Sequence, residues 1–200
     1  MDNYSIAAVI LAAGQSRRMG TPKMLLPWGE KSVLGQVVFT FYQAGVKEII
    51  VVTGGSRDAV EIEISSLAHD YPVRSVFNDT YENGEMLLSL QTGLKSLDQG
   101  VTHALIGLGD QPQISENAIK SILVRAKTPQ YQLVIPSHEM HRGHPWLLHR
   151  SLWDEVNGLS LPQTMHDFLD LHSRDIHYVE TDSTVLKDLD TQDDYARDKP

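Results

Sequence analysis

The strongest constraint on the fold is an alternation of short, continuous apolar runs with longer segments of helical spacing. Val9-Ile10-Leu11-Ala12-Ala13 and Ile49-Ile50-Val51-Val52 are apolar at every position, not at every second one. Such strands have no solvent face, the pattern of a parallel sheet covered by helices on both sides. Strands are expected at residues 6–11, 48–53, 73–77, 104–108, 132–135 and 176–180. Helices are expected at 32–44, 57–68, 86–97, 115–126, 152–156 and 164–172. Ser115 followed by Glu116 puts a capping hydroxyl and a negative charge at one helix start. The chain therefore reads as α/β, a three-layer α/β/α sandwich around a Rossmann-like, mainly parallel sheet. Residues 1–200 are read as a single domain. The polar, histidine-rich stretch 136–145 is expected to leave the sheet.

Ligands of open parallel sheets gather beyond the carboxyl ends of the strands. That points to residues 14–23, 54–57, 110–112 and the loop from Pro136. The formal charge of −9 disfavours nucleic acid and anionic membranes as partners. A small anionic substrate then needs a local cluster of cations. The absence of cysteine excludes disulfides, thiolate zinc sites and thiol catalysis. The apolar run at 6–13 is too short to span a bilayer and has no basic stretch before it, so the cytoplasm is the expected location. Asn78-Asp79-Thr80 matches a glycosylation acceptor, which without secretion is a chance match.

After the first strand, Gly14 and Gly20 bracket a loop carrying Arg17 and Arg18, with Lys23 just beyond. Glycines let main-chain N–H groups approach a ligand closely, and the cations suit the oxygens of a triphosphate. A plain strand-to-loop turn with solvated charges fits the same residues. The spacing matches neither a P-loop nor the dinucleotide fingerprint.

Residues 104–108 run into Gly109-Asp110-Gln111-Pro112. An aspartate there can hold Mg²⁺ together with substrate phosphates, or simply form a turn. The later cluster from Asp188 to Asp194 reads either as acidic ligands or as a solvated helix start capped by Asp190 or Thr191. Leu87, Leu90 and Leu94 form the apolar face of an amphipathic helix. His138, His141, His144 and His149 are close in sequence, but H-E-M-H is too short for the H-E-x-x-H zinc helix.

The stretch VILAAGQSRRMGTPKMLLPWGEKSVL resembles the signature of the nucleotidyltransferases that include the molybdenum-cofactor cytidylyl- and guanylyltransferases. Their pattern L-A-A/G-G-x-S-x-R-M-G-x-x-K-x-L-L-P is met without a gap. The resemblance implies a nucleotide-diphospho-sugar transferase type of sheet. In it, the backbone of Leu11, Ala12, Ala13 and Gly14 frames the base and ribose, and Arg18 and Lys23 act on the phosphates. Gly-Asp-Gln-Pro resembles the family's metal motif, so Asp110 becomes catalytic, nucleotide-binding and metal-ligating. A D-I/L-D-T-x-x-D/E motif makes Asp190 the second metal ligand and Asp188 a supporting neighbour; the family often has proline where this chain has Gln192. Asn78 and Ser89 match a segment that lies beside the nucleotide, although Glu85 interrupts the family spacing. Arg142-Gly143-His144-Pro145 resembles the R/G-G-H-P motif at the rim of the acceptor pocket.

By the same resemblance, the expected reaction is a Mg²⁺-dependent transfer of a nucleoside monophosphate to a small phosphorylated acceptor. Leu-Ala-Ala-Gly with Gly-Asp-Gln-Pro leans toward CTP as donor and molybdopterin as acceptor, with a molybdoenzyme or its chaperone as a further partner. Guanylyl transfer and a sugar-phosphate acceptor are the near alternatives. From other classes come a non-catalytic nucleotide-binding accessory protein and a nicotinamide-dependent oxidoreductase, the latter disfavoured by the missing fingerprint.

Overall fold

In the computed structural model of the chain, residues 4–14, 20–83, 86–128 and 130–200 are described. Arg17 and Arg18 of the glycine loop and Glu85 of the middle segment lie outside them. Strand β1 (Ile6–Ala12) is buried on both sides. Its alternate residues Ala8, Ile10 and Ala12 enter one apolar core, while Ala7, Val9 and Leu11 enter another. The next sheet strands behave alike: beyond a two-residue ribbon of β2 (Pro27–Trp28) and β3 (Lys31–Ser32), β4 (Ile49–Thr53) sends Ile49 and Val51 one way and Ile50 and Val52 the other.

The remaining strands are β5 (Val73–Phe77), β6 (His103–Leu108), β7 (Leu133–His138), β8 (His141–Arg142), β9 (Trp146–His149) and β10 (Ile176–Glu180). Among the described residues they form one sheet in the order β10-β7-β9-β6-β1-β4-β5, with β8 pairing on β7. β6, β1, β4 and β5 are mutually parallel, as are β7 and β10. β9 lies antiparallel between β6 and β7, so the sheet is mixed but mostly parallel.

One face is covered by α1 (Val33–Gln43), α2 (Arg57–Leu67) and, after α3 (Met86–Lys95) on the opposite side, α4 (Glu116–Leu123). These bury Leu34, Phe41, Ile64 and Ile119 against the first core. With α3 on the second face lie α5 (Trp153–Gly158) and α6 (Met165–Leu171), burying Leu87, Leu90, Leu94, Trp153 and Phe168. Each such large apolar side chain contributes about 1.5–3 kcal/mol on burial. The expected three-layer sandwich is thus present. Caps set the helix starts: Ser115 Oγ accepts from Ala118 N at 3.0 Å, and Thr164 forms a reciprocal capping box with Asp167.

The stretch 136–145 does not leave the sheet. β7 continues through it to His138, turns at Glu139 and Met140 (φ 48° and 69°), and is paired by His141 and Arg142 of β8. The chain then re-enters the middle of the sheet as β9. No helix among the described residues is long and apolar enough to cross a membrane.

Candidate nucleotide and metal site

β1 and β6 end side by side, with Leu11 opposite Leu108, and Gly109 N donates to Leu11 O at 3.0 Å. A Cβ on Gly109 would stand 2.9 Å from Met24 Sδ and 3.2 Å from Leu11 O, so only glycine fits there without displacement. Met24 is buried and anchors the single 3-10 turn Lys23–Leu25, which places Lys23 directly beside the loop after β6. The left-handed backbone that favours glycine is found at Gly20 (φ 69°). At Gly14 a Cβ would meet nothing within 4 Å, so that position opens onto free space. Gly54, at the end of β4, is needed for close approach, because a Cβ would strike the Ala13 backbone.

Lys23 Nζ donates to Asp110 Oδ2 and, at 3.2 Å, to Leu189 O; Asp190 Oδ1 lies 3.7 Å away. The C-terminal segment reaches this point because Leu189 is fully buried with Trp28 and Val33, and its N–H donates to Asp110 O at 3.0 Å. Asp190 is followed by Thr191, which caps α7 (Gln192–Asp198) in a capping box with Asp194. The cap and the acidic site therefore coexist in adjacent residues. Gln111, almost fully buried, donates from Nε2 to Asp188 Oδ1 at 2.6 Å. Burial first, then the charge of Asp110, raises the Asp188 pKa, opposed by the Gln111 hydrogen bond. Two carboxylates, of Asp110 and Asp190, thus approach one ammonium group, while that of Asp188 is turned to Gln111. Among the described residues, no set of three or more acidic or histidine side chains is arranged to hold a metal ion by itself.

A cleft of about 240 Å³ opens beside this group. Its lining includes Leu11, Ala13, Gly14, Lys23, Ser89 and Asp110, all expected from the sequence. Met24, Tyr81, Met86 and Leu108 complete it. Tyr81 sits in a one-turn helix that no sequence pattern singles out. Ala12 does not line the cleft; its side chain packs in the first core. Asn78 also stands back: it is buried, and its Nδ2 donates to Ser89 Oγ at 3.0 Å. Its Oδ1 accepts from Thr80 N and Oγ1, so the asparagine ties the loop after β5 to the start of α3. Arg18 lies outside the described residues.

The residues matched to the acceptor motif form a separate group. Arg142 Nε donates to Tyr178 OH at 2.8 Å, and its guanidinium lies 3.8 Å from Asp170. Gly143 is pressed against Val185, and His144 N donates to Val185 O at 3.1 Å. The His144 ring stacks on Trp146 with centroids 4.4 Å apart, and its shielded Nε2 has no hydrogen-bond partner. Burial, and secondarily His166, lowers its pKa to about 3. His144 is therefore a neutral imidazole near pH 7 and offers no positive charge to a phosphate.

A model of the MobA-like NTP transferase domain matches residues 8–176. The chain belongs to this family. It is accordingly an enzyme of nucleotidyl transfer. It is 25% identical over 196 residues to the molybdenum cofactor cytidylyltransferase of Escherichia coli (strain K12), covering 98% of this chain and 96% of that one. It is also 29% identical over 153 residues to a nicotine blue oxidoreductase of Paenarthrobacter nicotinovorans, covering 74% of this chain and 72% of the relative. Among solved structures, that of Rv0371C from Mycobacterium tuberculosis H37Rv in complex with manganese superposes with a TM-score of 0.78. It is 28% identical and covers 97% of each chain.

Proposed function

We propose that this transferase moves CMP from CTP onto molybdopterin and releases pyrophosphate, with guanylyl transfer to the same cofactor as the nearest alternative. The carrying observation is the convergence of Lys23, Asp110 and Asp190 where β1 and β6 end, beside the cleft. The relation to a cytidylyltransferase over nearly its whole length supports the donor and acceptor. The same proposal takes residues 1–200 as one domain working in the cytoplasm.

An oxygen of the acceptor phosphate attacks the α-phosphorus in line; the new P–O bond forms as the bond to pyrophosphate breaks. A phosphate nucleophile is already ionised at neutral pH, so the chain needs no general base and works by positioning and electrostatics. The backbone of Leu11, Ala12, Ala13 and Gly14 frames base and ribose, with the open side of Gly14 toward the ligand. Ser89, oriented by Asn78, bonds the nucleotide. Lys23 exchanges its contact with Asp110 for phosphate oxygens, and Arg18 adds a second cation. Arg142, Gly143 and His144 form the acceptor rim, with the cationic part falling to Arg142 because His144 is neutral.

Asp110 and Asp190 fit a divalent cation, Mg²⁺ in this proposal. Both approach the same ammonium group, and one or two carboxylates with substrate phosphates make up the usual Mg²⁺ set. The manganese of the related structure supports a divalent ion in this fold. When bound, such an ion neutralises the phosphate oxygens and orients them.

Calorimetric titration of CTP, GTP and ATP, with and without Mg²⁺, tests the donor. Mg²⁺-dependent preference for CTP supports the proposal; preference for GTP moves it to guanylyl transfer. The oxidoreductase among the relatives makes redox chemistry the second reading. Binding of NAD(P) in place of every triphosphate would favour that reading.

A further inference from the structure

Gln111 does not line the cleft, yet it is one of the few buried polar side chains among the described residues. Its amide is spent on the C-terminal segment: Nε2 donates to Asp188 Oδ1 at 2.6 Å and lies 3.4 Å from Val185 O. Asp188 is two residues from Asp190, and Leu189 between them donates its N–H to Asp110 O at 3.0 Å, which sets Asp188 beside the loop that carries Asp110. A third carboxylate is thus close to the two proposed for the metal but is turned onto an amide. Mg²⁺ in a phosphoryl-transfer site must keep coordination positions for substrate oxygens. A third protein carboxylate in its shell would take one of those positions and hold the ion without its nucleotide.

We propose that Gln111 is a positioning residue that holds Asp188 out of the metal shell, so that the divalent ion binds well only with a nucleoside triphosphate. This rests on the reading of Asp110 and Asp190 as the metal pair. The shorter of the two amide contacts is the one to Asp188, so the effect of Gln111 on the ion runs through that carboxylate and the two substitutions must cancel. The amide also contributes packing, and a methionine of similar length keeps the volume while removing the donor.

The test is Mn²⁺ binding to the full chain, read from the loss of the free-ion electron paramagnetic resonance signal, with and without CTP. Gln111→Met should tighten nucleotide-free Mn²⁺ binding by about tenfold, the low end of what outer-shell partners do to metal affinity. Its KM for CTP should rise. Asp188→Asn should leave nucleotide-free binding near wild type, and Gln111→Met with Asp188→Asn should return it there. Unchanged or weaker Mn²⁺ binding in folded Gln111→Met overturns the inference. So does tightening that persists in the double variant, because the effect would then not run through Asp188. Should the wild-type chain bind no Mn²⁺ even with CTP or GTP, the metal pair itself falls, and this inference with it.

Discussion

The two halves of the sheet are built on different principles. From β6 through β1 and β4 to β5 the strands are parallel, and the central ones are buried on both faces and almost entirely apolar. From β9 through β7 to β10 the sheet includes antiparallel pairings, a hairpin, and an edge strand whose Tyr178 is 42% exposed. The parallel half fixes the β1 and β6 ends to each other, and with them Lys23 and Asp110. The antiparallel half carries Arg142 on the short strand β8 and His144 in the segment between β8 and β9. On the proposed function, the parallel half frames the reacting phosphates and the antiparallel half carries the acceptor rim.

The contrast is sharpest in stability. Ile10, fully buried in the parallel half, should cost about 2–5 kcal/mol on replacement by alanine. Tyr178→Ala on the edge strand removes a partly exposed ring and one hydrogen bond from Arg142, and should cost only about 1 kcal/mol. Urea denaturation of both variants checks this; equal losses would erase the distinction. Next in size, Lys23→Ala should lower turnover by about 10²–10³, the effect of removing one group aimed at developing charge. The melting temperature should shift far less, and unchanged triphosphate affinity in calorimetry would remove Lys23 from the phosphate site.

The seam between the halves should respond to pH. Burial, then His149, lowers the pKa of His103 to about 4, and His144 lies at about 3. The unfolded chain takes up these protons near 6.5, while the folded chain refuses them until the lower values. Stability contributed by the neutral rings is therefore complete above about 6.5 and is lost progressively as the pH falls toward 4. The urea midpoint should drop between pH 7 and pH 5, and His103→Gln should flatten part of that drop. Identical midpoints in the wild-type chain would contradict the buried neutral rings. Thr191→Ala should cost about 1 kcal/mol by removing the α7 cap, visible as a small shift of the melting temperature.

The same division governs how much can be read from residues alone. Strands at 73–77 and 176–180 occur with the expected bounds, and β1, β4 and β6 within one residue at either end. Unbroken apolar runs mark β1 and β4 as buried strands, and the others follow from the strand–helix alternation. β9 is absent from the expected strands: Trp146-Leu147-Leu148-His149 is short and follows Pro145, and its place in the sheet depends on pairing with β6 and β7. The polar residues of β7's end and β8 read as loop because backbone pairing, not apolar burial, makes them strand. Within the site, the meeting of Lys23, Asp110 and Asp190 agrees with the motifs. The retreat of Ala12 and Asn78 behind the cleft, the arrival of Tyr81, and the Gln111–Asp188 contact are visible only in three dimensions. Each depends on which face a side chain takes or on contacts distant in sequence.

The most direct measurement is pyrophosphate release from CTP and molybdopterin with Mg²⁺, comparing the wild-type chain with Asp110→Asn. The proposed site predicts release by the wild type, a rate at least about 10²-fold lower in the variant, and unaltered folding by circular dichroism. Wild-type release rates in Asp110→Asn would place the chemistry elsewhere and contradict the site formed where β1 and β6 end.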